Sequence, residues 1–345
     1  MPPRIVRRLV IAPFALVLCL AIVVLSPLIL TATAIADLFL PGSWRTTRLA
    51  AFLLSYVALE VVGLVWMFVL WVASGFGATM RGERMQRAHF AFMRTWLDAI
   101  HTSAKKLFHL QVKIEDPPAP APGPILVFSR HAGPGNSLLL VGTLLIGYNR
   151  RPRIVMLAKL QWEPLYDVML NRLPNRFIKH DPKRRELYIE TIAELAAGLG
   201  KADAFVLFPE GKDFTPKVRR RAIDVLRSKG FGSHADRAEA MTHVLPPRHN
   251  GVLAAMGAAP DADVVFVAHA VLEDIGTVKQ LWSRIPFDHA IAARYWRVPC
   301  SDIPTDRDEC IACLFDWWER IDAWIKAHEE EHRPAPRRSE AEAPG

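Results

Sequence analysis

The chain has 345 residues, 51% of them hydrophobic and 23% charged, with a formal net charge of +8. That composition excludes a disordered chain and allows one large packed domain plus a smaller attachment. The basic excess favours an anionic partner: nucleic acid, a membrane surface or a phosphorylated small molecule.

From Leu9 to Ala36 there is no charged residue for 28 positions. A second apolar run covers Leu49–Ala78, broken by Glu60. Roughly 20 apolar residues cross a bilayer core as a helix, so residues 1–80 are expected to form a transmembrane hairpin. A secretory signal peptide is the rival reading of the first run, because Arg4, Arg7 and Arg8 precede it and Ala34-Ile35-Ala36 resembles a cleavage site. A signal core is typically only ~7–15 residues, and a second span follows directly. Arginines before the first span and after the second (Arg81, Arg84, Arg87, Arg94) place both ends in the cytoplasm. The expected setting is an integral protein of a bacterial inner membrane with its catalytic domain cytoplasmic.

Residues 82–110 space Phe90, Phe92, Met93, Trp96, Ile100 and Leu107 at helical intervals among basic residues. They are expected to form an amphipathic helix, packed partly on the core and partly on the membrane face. With the proline-rich EDPPAPAPGP (115–124) this makes a connecting segment, 81–124. Apolar runs then alternate with helical patterns over 125–330. Strands are expected at Ile125–Ser129, Ile154–Ala158, Phe205–Phe208, Val264–Ala268 and Ala292–Arg297. Helices are expected at Arg184–Leu199, Lys217–Ser228, Asp236–His243 and Glu309–His328, the last with Trp317, Trp318 and Trp324 as packing residues. The alternation predicts an α/β domain with a mostly parallel, buried sheet flanked by helices. Residues 331–345 read as a disordered tail. The four cysteines are too few for a disulfide scaffold, which fits a reducing compartment. Cys310 and Cys313 read as two half-buried thiols on one helix face, with a zinc or redox pair as the rival.

Two strand ends carry reactive side chains. PILVFSR leads into His131, then AGPG and Asn136; FVLFPEGKDFTP carries Glu210. Ligand sites in α/β folds gather at the carboxyl ends of strands, so a histidine and a carboxylate from distant segments are expected to meet in one crevice. A lone histidine there is otherwise a structural residue, and a lone Pro-Glu-Gly a turn. Basic residues lie between them in sequence: Lys159, Arg172, Arg176, Lys179, His180, Lys183, Arg184 and Arg185. Beside a membrane anchor they suit a phosphate rather than a solvated face. The usual groove-reading or base-stacking motifs of nucleic-acid binders do not occur, nor does the GxSxG elbow of a lipid hydrolase.

The order of these motifs resembles the glycerolipid acyltransferases that include 1-acylglycerol-3-phosphate acyltransferase. Their His-x-x-x-x-Asp block reads His131-AGPG-Asn136 here, with asparagine for aspartate. Their Phe-Pro-Glu-Gly block stands intact as Phe208, Pro209, Glu210 and Gly211. A lysine-led block fits residues 158–180, with Lys159 and Pro164 matching and His180 where the family has arginine. HVLPPRHNGV (243–252), FPEGKDFT and the apolar hairpin resemble the lysophosphatidate and lysocardiolipin branch. The resemblance implies transfer of a fatty acyl group from a thioester of coenzyme A or acyl carrier protein to a lysophospholipid hydroxyl. The most direct product is phosphatidic acid from 1-acylglycerol-3-phosphate, with no metal or cofactor. His131 would be the general base, Asn136 its orienting partner and Glu210 a hydrogen-bond acceptor for the glycerol. Arg130, Lys159, Arg176, His180, Phe208, Pro209 and Gly211 would bind substrate. An amide can orient a catalytic histidine, as in cysteine proteases. The rival is a catalytically inactive lipid-binding relative, with Asn136 as the loss.

Overall fold

The computed structural model describes residues 1–117, 122–131, 133–179, 185–270 and 277–331. The expected tail, 331–345, lies outside them beyond Glu331, as do His180, Lys183 and Arg184.

The N-terminal helices are α1 (Arg4–Val24), α2 (Ser26–Asp37) and α3 (Arg45–Ala73). The first apolar run is therefore not one helix. It breaks at Leu25, because Pro27 supplies no N–H to the preceding turn and its ring crowds the carbonyl there. Helices α1 and α3 are long and apolar enough to cross a membrane. Leu64, Met67 and Leu70 of α3 pack into the domain against Phe90, Met93, Trp96, Leu97 and Ile100 of α4 (Glu83–Phe108). The amphipathic segment is thus core-packed along its apolar face. Glu60, the one charge in the second apolar run, turns inward at 5% exposure and accepts from Leu165 N at 3.0 Å. Beside it, burial and the Glu60 carboxyl push Glu163 up to about 10. Arg7 pairs with Asp167 at 2.7 Å and ties the start of α1 to the domain.

Seven strands form one sheet, ordered β1-β7-β6-β2-β5-β3-β4. They are β1 (Val112–Glu115), β2 (Ile125–Ser129), β3 (Arg151–Leu157), β4 (Arg176–Ile178), β5 (Asp203–Leu207), β6 (Asp263–His269) and β7 (Ile291–Val298). All pairs are parallel except β6–β7. The sheet begins at β1, before the proline-rich stretch, so that stretch joins two strands of one sheet. Every residue of β2 and β5 is buried, as expected of central parallel strands covered on both faces. The two-residue period sorts their side chains. Leu126, Phe128, Phe205, Leu207, Val264 and Phe266 enter one core layer. Ile125, Val127, Ala204, Val206, Val265 and Val267 enter the other.

The first layer is closed by α7 (Arg185–Ala196), α8 (Pro216–Ser228), α9 (Gly232–Ala240), α10 (His249–Ala258) and α12 (Arg307–Glu331). Trp318 of α12 is fully buried there and Trp317 stacks on Phe266 at 4.6 Å. The second is closed by α3, α4, α5 (Pro134–Gly142) and α6 (Pro164–Leu170). Helix α11 (Val278–Arg284) sits beside α3. Cys310 is buried and Cys313 half-buried, both as free thiols.

Candidate functional site

Strand β2 ends at Ser129, and the ladder runs one step further through Arg130 N to Val267 O. This aims the next residue, His131, past the carboxyl edge of the sheet. Gly133 then adopts φ +121, ψ 177, a region that L side chains rarely enter, and the chain turns into α5.

His131 is held from two sides. Its ring lies 4.6 Å from the Phe208 ring, and its carbonyl accepts from Phe214 N at 3.3 Å. Nε2 lies 3.1 Å from Oδ1 of Asp213, a carboxylate that is 60% exposed. Nδ1 is buried and has no partner among the described residues. Burial lowers the imidazole pKa from its ordinary value, the Lys159 charge lowers it further, and Asp213 opposes both. A neutral imidazole with Nε2–H toward Asp213 leaves the Nδ1 lone pair free to accept a proton.

Asn136 does not face this ring. It sits on the first turn of α5 at 4% exposure, and its Nδ2 donates to Arg130 O at 2.9 Å. The expected contact with the imidazole is therefore absent, and the carboxylate that reaches the ring is Asp213, at Nε2. Five residues of spacing end on a helical turn, which carries the amide back over the peptide before the histidine.

Arg130 is fully buried, contrary to a substrate-binding role. Its Nη1 donates to His269 O at 3.2 Å and Nη2 to His243 O at 2.7 Å. The guanidinium thus pins the end of β6 and the 243–248 loop to the end of β2.

Glu210 is buried at 1% exposure rather than open to the crevice. Its Oε2 accepts from Leu245 N at 3.3 Å. Burial pushes the carboxyl up to about 8, while the Arg130 charge, backbone N–H groups of Leu245 and His131, and the Trp318 indole pull it back. It braces the loops behind His131. The direct glycerol contact expected of it is closed off by that burial. Pro209 is buried and its carbonyl accepts from Arg248 N at 3.0 Å. Gly211 turns at φ +66, a conformation strained for L side chains, and a Cβ there would stand 3.0 Å from Arg248 Nη1, so a larger side chain would displace Arg248.

Lys159 is exposed, on the turn after β3, close enough for its charge to depress His131. Arg176 is exposed at the start of β4 and lines a different cleft. His180 lies outside the described residues.

Three residues of the site escaped the sequence reading. Asp213 was visible as the acid three positions after Glu210, but its partner is 82 positions away, His131. His269 ends β6 with Nε2 3.4 Å from Arg130 O, and burial and the Arg130 charge lower its pKa well below the ordinary value. Arg248 stands over Gly211. Together these put the His131 imidazole, with a buried nitrogen that has no partner among the described residues, a carboxylate on its other nitrogen and exposed cations beside it, at the carboxyl edge of a mostly parallel sheet.

No protein-family model matches the chain, and no curated protein matches it. Among solved structures, the crystal structure of the 1-acyl-sn-glycerophosphate (LPA) acyltransferase PlsC from Thermotoga maritima is similar. Identity is 13%, over 81% of this chain and 97% of that one, with a TM-score of 0.43. A likeness of that size carries no argument, and the chemistry rests on this chain's own residues.

Proposed function

We propose that the chain is a membrane-anchored acyltransferase that moves a fatty acyl group from an acyl thioester to a lysophospholipid hydroxyl, with His131 as general base. The observation that carries the reading is the pairing of His131 Nε2 with Asp213 while Nδ1 stays free. A hydroxyl is a poor nucleophile at neutral pH and needs its proton removed as it attacks. Entry of the acceptor uncovers Nδ1, which is buried in the free protein, and His131 takes the proton there as the oxygen bonds to the thioester carbon. Asp213 stabilises the imidazolium that results. The tetrahedral oxyanion collapses, the C–S bond breaks, and the imidazolium returns the proton to the thiolate. Backbone N–H groups at the first turn of α5, just after His131, suit the oxyanion.

Lys159 and Arg248 are the exposed cations suited to the acceptor phosphate, and 1-acylglycerol-3-phosphate is the acceptor of choice. Coenzyme A or an acyl carrier protein carries the donor. The apolar helices α1 and α3 hold the site at the bilayer, with the domain on the cytoplasmic side. Asn136 turned away from the ring favours a second reading, an inactive lipid-binding relative. Purified protein incubated with lysophosphatidate and labelled acyl-CoA separates the two. Labelled phosphatidate above a heat-killed control supports the enzyme; lysophosphatidate binding without product supports the inactive relative.

A further inference from the structure

A cleft of 960 Å³ opens on the edge of the sheet away from His131. Arg151, Arg176 and Asp203, the first residues of β3, β4 and β5, line it. His131 lies two residues past the end of β2, which runs parallel to β5. A strand of β3's length spans roughly 20 Å, so the two sites face opposite edges.

Seven guanidinium groups line the cleft against two carboxylates, Glu83 and Asp203, and the pairings leave most of that charge uncompensated. Asp203 is shared by Arg151 at 3.0 Å and Arg153 at 2.5 Å. Glu83 pairs with Arg87, outside the cleft. Arg8 shares Asp167 with Arg7. Arg4, Arg81, Arg172 and Arg176 have no carboxylate partner among the described residues. Arg172 is half-buried, donating to Met67 O at 2.7 Å. Burial first, and then the charges of Arg8 and Arg4, push it down to about 10. One wall is apolar, with Trp71, Phe76, Phe90 and Leu173. Trp71 belongs to the last turn of α3, and Phe76, 68% exposed, follows it. Arg4 and Arg8 stand at the head of α1. The cations therefore lie where both apolar helices meet the domain.

We propose that this cleft is a second anion site that takes the phosphate of an acidic phospholipid, seated between the apolar N-terminal helices and the amino edge of the sheet. Guanidinium forks match phosphate oxygens two at a time, and the aromatic wall receives the glycerol and first methylenes. The bound lipid clamps α1 and the end of α3 to β3 and β4. Arg176 belongs to this site.

The test uses the full chain in neutral detergent, with dioleoyl phosphatidylglycerol, dioleoyl phosphatidylcholine and inorganic phosphate as probes. Bound lipid is read by native mass spectrometry and by the shift in Tm. Phosphatidylglycerol binds and raises Tm, and the matched phosphatidylcholine binds at least tenfold more weakly. The Arg4→Gln/Arg81→Gln pair weakens phosphatidylglycerol about tenfold per guanidinium removed. Both residues are exposed and outside the His131 site. The Arg4→Lys/Arg81→Lys pair, which keeps the charge and loses the fork, binds between the wild type and the Gln pair, which separates loss of charge from loss of fold. Inorganic phosphate that binds and displaces the lipid supports the anion site and assigns it to free phosphate. Equal binding of the two lipids by the wild type, or unchanged affinity in the folded Gln pair, overturns the proposal. His131→Ala binds phosphatidylglycerol as the wild type does, so failure here is distinct from failure of acyl transfer.

Discussion

Replacing Asp213 by asparagine removes one charge and little volume, and it tests the dyad directly. Asp213 Oδ1 lies 3.1 Å from His131 Nε2, but the carboxylate is 60% exposed. Two charges at that separation interact by roughly 1 kcal/mol in bulk water and about 5 kcal/mol at the screening typical of a protein surface. Exposure puts this pair toward the lower figure. Loss of ~1–2 kcal/mol of support for the imidazolium slows turnover roughly 5–30-fold. The pH profile then distinguishes an electrostatic partner from a structural one. The base must be neutral, so the rate rises with pH through the imidazole pKa. Asp213 raises that pKa; without it the acid limb moves to lower pH while the plateau falls. The assay is kcat against pH with saturating lysophosphatidate and acyl-CoA. An unchanged plateau, or a limb that moves to higher pH, refutes the argument.

Lys159→Gln moves the same limb the other way, to higher pH, because Lys159 lowers the imidazole pKa; it also raises KM for a phosphorylated acceptor and leaves KM for the acyl donor, as initial rates with each substrate varied will show. Glu210 is raised from its ordinary carboxylate value to about 8. Folding therefore binds a proton that the unfolded chain has released, and stability drains as pH rises from about 4.5 to about 8, by a few kcal/mol at ~1.36 kcal/mol per unit. Glu210→Gln flattens that fall in Tm between pH 5 and 8, and a slope equal to wild type contradicts it. Asn136→Asp puts an acceptor against Arg130 O in place of the Nδ2 donor, and denaturant melts should show a loss of ~1–3 kcal/mol; a stability equal to wild type contradicts it.

The central strands were legible because their chemistry is local. ILVF between Pro124 and Ser129 is apolar throughout, and β2 occupies Ile125–Ser129 as read. Strands β1 and β4 have four and three residues, too few to display a period, and β1 hides beside the proline-rich stretch. Helix α5 begins inside GPGNS, which reads as a turn; the turn is Gly133, and Pro134 opens the helix. That difference relocates Asn136 from loop to helix and removes it from the imidazole. Arg130 and Glu210 looked like crevice residues because they follow strands. Their burial comes from the 243–248 loop and α12, brought over them by tertiary packing that no local pattern encodes. Asp213 was missed for the same reason.

The most direct test of the account is acyl transfer by His131→Ala beside wild type, with lysophosphatidate binding measured on the same preparations. A positioned general base contributes typically ~10²–10⁴-fold, so the variant is predicted to bind the lipid normally and to form labelled phosphatidate at least 100-fold more slowly. Product formation by His131→Ala at the wild-type rate would contradict it.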